Sequence, residues 1–122
     1  MNIPFSPPDI TEEEIEAVAE VMRSGWITTG PKTKELERKM AEFTHTNRGV
    51  CLNSATSCME MALRLFEIGP GDEVIVPAYT YTASASVVCH VGATLRLVDV
   101  EKGTFHIDYA AVESMINENT KA

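Results

Sequence analysis

Apolar residues recur along this chain at helical spacing, interrupted by short continuous runs, and the switches mark out its elements. Thr11-Glu12-Glu13-Glu14 opens a first helix as a capping box, with Glu14 reaching back to Thr11. Ile15, Val18 and Met22 follow at helical spacing, and Gly25 closes the helix. A second helix is predicted from about Lys32 to Thr44, with Leu36, Met40 and Phe43 on one face. Both read as surface helices, apolar inside and charged outside. Gly49 to Asn53 is predicted as a short buried strand. A third helix, from about Ala55 to Glu67, carries Cys58, Met59, Met61, Ala62, Leu65 and Phe66. It is apolar around most of its circumference and is expected to be covered on more than one side.

Gly69-Pro70-Gly71-Asp72 is a turn, and Glu73 to Val76 a strand ended by Pro77. A fourth helix of small residues is predicted from Thr80 or Thr82 to Val91, stopped by Gly92. Thr94 to Val100 is a further strand, and Asp108 caps a last helix through about Ile116. Strands joined by helical connections pair in parallel, so the fold class is α/β. Met1 to Asp9 form a Pro-rich extended arm. The chain stops at Asn119-Thr120-Lys121-Ala122, where the alternation calls for another buried strand. An open parallel edge is an unusual end for a domain, so a truncated chain or an isolated fragment is expected.

Composition narrows the function classes. At 122 residues the chain is one domain at most. Its net charge of −8 argues against nucleic acid or an anionic membrane as the main partner. No apolar run approaches the roughly 20 residues of a membrane span, and no signal peptide opens the chain, so a cytoplasmic protein is expected. Cys51, Cys58 and Cys89 are widely spaced in apolar runs and read as buried free thiols, and no Cys/His cluster suggests a metal.

Two segments carry candidate chemistry. Val50-Cys51-Leu52-Asn53-Ser54-Ala55-Thr56-Ser57 reads as strand, tight turn and helix start. Such a junction leaves backbone N–H groups unpaired in front of a helix dipole, a seat for a phosphate. The simpler reading is a plain helix cap by Ser54 or Ser57. Pro77-Ala78-Tyr79-Thr80-Tyr81-Thr82-Ala83-Ser84 follows the next strand and supplies an aromatic plate. Ligands in open α/β sheets sit at strand carboxyl ends, which places both segments on one rim. Phosphate seat and plate together suggest a flat, phosphorylated cofactor. Trp26 reads as a packing anchor for its loop, and His45, His90 and His106 are too scattered to pair with a nucleophile.

Gly25-Trp26-Ile27-Thr28-Thr29-Gly30-Pro31, Leu52 to Ser57, Gly69 to Pro77, Gly92-Ala93-Thr94 and Val98-Asp99-Val100 occur in that order. As a set they resemble the amino-terminal part of the DegT/DnrJ/EryC1/StrS family of pyridoxal-phosphate (PLP) enzymes of fold type I. Those enzymes mostly install an amino group on a nucleotide-linked keto sugar. The resemblance implies a three-layer αβα architecture, with residues 1–122 part of the PLP-binding large domain. Within it, residues 1–48 would be arm and helices, and 49–122 strand–helix units. It implies PLP as cofactor, a nucleotide sugar and an amino-acid donor as substrates, and a homodimer. Ala55 and Thr56 match the amides that hold the cofactor phosphate, with Ser54 and Ser57 able to add hydroxyl bonds. Tyr81 matches the aromatic that stacks on the pyridine ring, and Thr28, Thr29 and Gly30 match a loop on the substrate side.

The resemblance also implies what these residues do not supply. In the family the Schiff-base lysine and the carboxylate facing the ring nitrogen lie beyond Ala122. Lys32, Lys34, Lys39, Lys102 and Lys121 match no such motif. No catalytic residue is therefore assigned, and the chain alone is expected to be inactive. The alternatives are a non-catalytic regulatory or scaffold module with a vestigial phosphate pocket, and a PLP-dependent sugar dehydratase relative. A nucleotide-binding α/β domain is disfavoured, because no GxGxxG or GxxxxGK[ST] is present.

Overall fold

The computed structural model describes Ile3, Pro4 and residues 6–122. Of the expected extended arm, Met1, Asn2 and Phe5 lie outside the described residues, and the rest is exposed without regular structure up to Thr11. The chain forms two compact units, residues 1–51 and 52–122.

The first unit holds α1 (Glu12–Arg23) and α2 (Pro31–Phe43). The capping box of α1 forms as read: Glu14 accepts from the Thr11 backbone N–H at 2.6 Å, and Thr11 Oγ1 accepts from Glu13 N at 3.3 Å. The Thr11 hydroxyl donates to the same carboxylate, and that bond first and the backbone N–H second hold the Glu14 carboxyl below its ordinary value. Pro31 starts α2, where its missing N–H costs nothing. The apolar stripes of both helices are present as predicted, but Ile15, Val18, Met22, Leu36, Met40 and Phe43 are exposed and only Ala41 is buried.

The second unit holds α3 (Ala55–Leu65), β1 (Glu73–Pro77), α4 (Ala83–His90), β2 (Thr94–Val98) and α5 (Tyr109–Met115). β1 and β2 pair in parallel, Glu73 opposite Thr94 through Pro77 opposite Val98, so the chain is α/β with a parallel sheet. Alternation along β1 turns Val74 and Val76 inward. They meet Ile68, Val88, Val91 and Ala93, with Leu63 and Leu95 packed against them. Ile68 and Ala93 reach this core through matching helix ends. Each donates to a carbonyl five residues back, Leu63 at 3.0 Å and Val88 at 3.2 Å, around Glu67 and Gly92 at positive φ. The tail enters the sheet on the other side of β1. Glu73 N donates to Asn119 O, Lys121 N to Glu73 O and Ile75 N to Ala122 O, at 2.8, 2.9 and 2.9 Å, and Thr120 bridges in parallel to Glu73.

Three expectations are corrected. Gly49 to Asn53 is not a strand: Val50 is 74% exposed, and no backbone among the described residues pairs with the segment. Apolarity favours extension, but a strand exists only where a second backbone takes its bonds. Here the Cys51 N–H goes instead to the Glu37 carboxylate of α2 at 2.9 Å. Cys51, Cys58 and Cys89 are free as expected but exposed rather than buried, because they lie on that unpaired segment and on helix positions outside the core cluster. α3 packs on α4, yet Leu65 and Phe66 are exposed, so its second covered side is not formed by the described residues.

Candidate functional site

Ser54 takes an extended conformation and caps α3, its Oγ accepting from Ser57 N at 3.1 Å and donating to Ser57 Oγ at 3.0 Å. Its carbonyl accepts from Cys58 N at 3.1 Å. The cap therefore satisfies the third amide of the helix and leaves those of Ala55 and Thr56 without a partner among the described residues. Two free donors stand at the positive end of an 11-residue helix. Ala55 adds no bulk beyond a methyl group, and the Ser57 hydroxyl, accepting from Ser54, keeps its own proton to donate. An oxyanion with several acceptor oxygens fits this donor set. The Ser54 hydroxyl is spent on the cap.

Tyr81 lies in the loop between β1 and α4 and is 82% exposed. Its carbonyl accepts from Ser84 N at 3.0 Å, and Thr80 Oγ1 lies 3.1 Å from Ser84 Oγ, which fixes the loop to the first turn of α4. Tyr79 turns elsewhere and stacks on Phe105, with ring centroids 4.8 Å apart and planes at 24°. Of the two tyrosines, only Tyr81 therefore keeps an unstacked ring. Glu60 of α3 accepts from Arg64 at 2.8 Å and meets His90 Nδ1 of α4 at 2.9 Å. Arg64 first and His90 second hold its carboxyl below the ordinary value.

Thr28, Thr29 and Gly30 lie in the first unit, between α1 and α2. Thr28 and Gly30 line a cleft of about 480 Å³, walled by Val21, Trp26, Ile27 and Pro31. The Trp26 indole N–H donates to Thr29 O at 3.0 Å, so the residue is the anchor of its loop as read from the sequence.

Residues 8–122 match the sequence model of the DegT/DnrJ/EryC1/StrS aminotransferase family. This chain belongs to that family. It is 44% identical over 119 residues to a UDP-4-amino-4-deoxy-L-arabinose–oxoglutarate aminotransferase of Shewanella sediminis, covering 98% of this chain and 31% of that protein. Structures described as "Putative sugar aminotransferase Spr1654 from Streptococcus pneumoniae", in a PLP-form and a PMP-form, are 63% identical and superpose with a TM-score of 0.90. They cover 99% of this chain and 31% of theirs. An aminotransferase from Psychrobacter cryohalolentis is 34% identical with a TM-score of 0.85, over 97% of this chain and 31% of its own. The chain thus spans about 31% of the length of these relatives.

Within the family chain, Ser54, Ala55, Thr56 and Ser57 form one hydrogen-bonded turn. Tyr81 is in the same compact unit, and Thr28 to Gly30 are in the other. Sequence reasoning missed Phe105. An aromatic two residues after Gly103, in the connection that follows β2, is its only signal in the sequence. Among the described residues no cluster of His, Cys, Asp or Glu is placed to hold a metal, and no helix is long and apolar enough to cross a membrane.

Proposed function

We propose that this chain is the amino-terminal part of the PLP-binding large domain of an aminotransferase, working as a cytoplasmic homodimer. The whole protein would move an amino group from an amino acid, glutamate by our reading, to a keto sugar carried on a nucleotide. Family membership and the named activity of the Shewanella relative support this reading. The observation that carries it is the pair of unpartnered amides, Ala55 and Thr56, at the start of α3.

The residues present fit the cofactor. Amides of Ala55 and Thr56, with the Ser57 hydroxyl, would hold its phosphate, and Ser54 would keep that helix start in shape. The Tyr81 ring would stack on the pyridine ring and fix its plane, contributing on the order of 1 kcal/mol beyond area burial. When bound, the cofactor supplies the electron sink for amino transfer. Thr28, Thr29 and Gly30 would line the substrate side. The lysines at 32, 34, 39, 102 and 121 match no catalytic motif, so this part of the protein binds and orients rather than reacts.

Tyr81→Ala in the full-length protein tests the assignment. Cofactor absorbance should be lost on dialysis faster than in the parent, while Tyr81→Phe should retain it, because the plate and not the hydroxyl is used. Unchanged retention in Tyr81→Ala would overturn the site.

A further inference from the structure

We propose that Phe105 is a positioning residue: its ring, stacked on Tyr79, holds the loop after β1 so that the Tyr81 ring is preset for a flat ligand. The inference rests on the reading that Tyr81 stacks on the cofactor ring.

Phe105 stands on a hydrogen-bonded support. Between β2 and α5 the chain folds back on itself, with Glu101 N donating to His106 O at 2.9 Å and Asp108 N to Asp99 O at 3.2 Å. Val100 and Ile107 pair in an antiparallel bridge, and His106 N donates to Thr104 Oγ1 at 3.1 Å. Gly103 takes the positive φ that the tip requires. The base of the Tyr79 loop is tied to the same region, since Ala78 N donates to Val98 O at 2.7 Å.

The stack closes this frame. Tyr79 and Phe105 remain 63% and 75% exposed, so the pair adds little to the core. Its effect is to join two loops at the carboxyl ends of β1 and β2. Tyr81 is then held from both sides. The Tyr79 stack lies on one side, and on the other are the bonds of Ser84 to the Tyr81 carbonyl and the Thr80 hydroxyl. A ring whose backbone is already fixed loses less freedom when a ligand stacks on it.

The test uses the full-length protein and two readouts apart from turnover: the PLP dissociation constant and the induced circular dichroism of the bound cofactor. Phe105→Leu keeps apolar bulk and removes the planar ring, and it should weaken PLP binding about fivefold and reduce the dichroism. Phe105→Tyr should restore both, and Tyr79→Leu should reproduce the loss. Parent-like binding and dichroism in Phe105→Leu, with Tyr81→Ala impaired, would overturn the positioning role and leave the function standing. Equal loss in Phe105→Leu and Phe105→Tyr would also overturn it, since a stacking role requires rescue by the second ring. No effect in Tyr81→Ala would remove the site reading on which the inference depends.

Discussion

The indole of Trp26 lies against Gly30 so closely that a methyl group there would stand 2.3 Å from Trp26 Cδ1. The same indole donates to the Thr29 carbonyl at 3.0 Å, so one side chain closes the loop from 26 to 30. Gly30→Ala must displace it. Trp26 is 57% exposed and can swing outward, so the cost is the lost bond rather than a full clash. The expected destabilisation is about 1 kcal/mol, with a red shift of the emission of the chain's single tryptophan. If the loop lines the substrate side as proposed, the KM of the full-length protein for the proposed keto-sugar substrate should rise more than kcat falls. An unshifted emission spectrum would show that the indole does not cover Gly30.

Helices were legible in the sequence because their signals are local. The Thr11 box, Ser54 and Asp108 each act within one turn of their own position. The strands β1 and β2 were legible because β-rich apolar runs there have a partner in the same chain. Gly49 to Asn53 carries the same local signal without that partner, and pairing is a property of two segments that no single run encodes. The start of α3 at Ser54, on which the proposed phosphate seat rests, was legible for the same reason as the other helix starts. The Tyr79–Phe105 stack was not, because 26 positions separate residues that only the parallel sheet brings together.

Ser54 and Ser57 should separate by experiment. Ser54 caps α3, so Ser54→Ala should cost about 1 kcal/mol of stability and weaken PLP binding with it. Ser57 offers a spare hydroxyl proton, so Ser57→Ala should weaken PLP binding at a smaller cost in stability. Denaturation midpoints beside cofactor titrations measure both. Equal stability loss in the two variants would show that the hydroxyl pair is structural only.

The Glu60 link between α3 and α4 should be acid-sensitive. Hydrogen bonds from Arg64 and then His90 lower its carboxyl below the ordinary 4.5. A carboxyl depressed in the folded state stabilises fully above its unfolded value, and the contribution disappears as pH falls through the lowered value. The pair is solvent-facing, so the effect is small. Glu60→Gln should melt slightly below the parent above pH 4.5, and the two curves should converge on further acidification. A difference that persisted in strong acid would assign the stabilisation to something other than the Glu60 charge.

Glu73 ties three segments of the sheet at once. Its carboxylate accepts from Asn117 Nδ2 at 2.9 Å and from Arg96 Nη1 of β2 at 3.3 Å, while its backbone pairs with Asn119 and Lys121. The side chain is largely covered, at 16% exposure. Removing it deprives Arg96 and Asn117 of their acceptor; both donors reach solvent, so the cost is about the net worth of the two bonds together. Glu73→Ala should therefore destabilise the second unit by roughly 1–2 kcal/mol. The loss should concentrate where the tail joins β1. The Lys121 and Ile75 amides, which donate across that seam, should exchange with deuterium faster, while amides in the middle of α4 change less. Glu73→Gln keeps an acceptor for Asn117 and should restore most of the protection at Lys121. Uniform acceleration across the whole unit in Glu73→Ala would mean that Glu73 supports global stability and does not set the register of the tail.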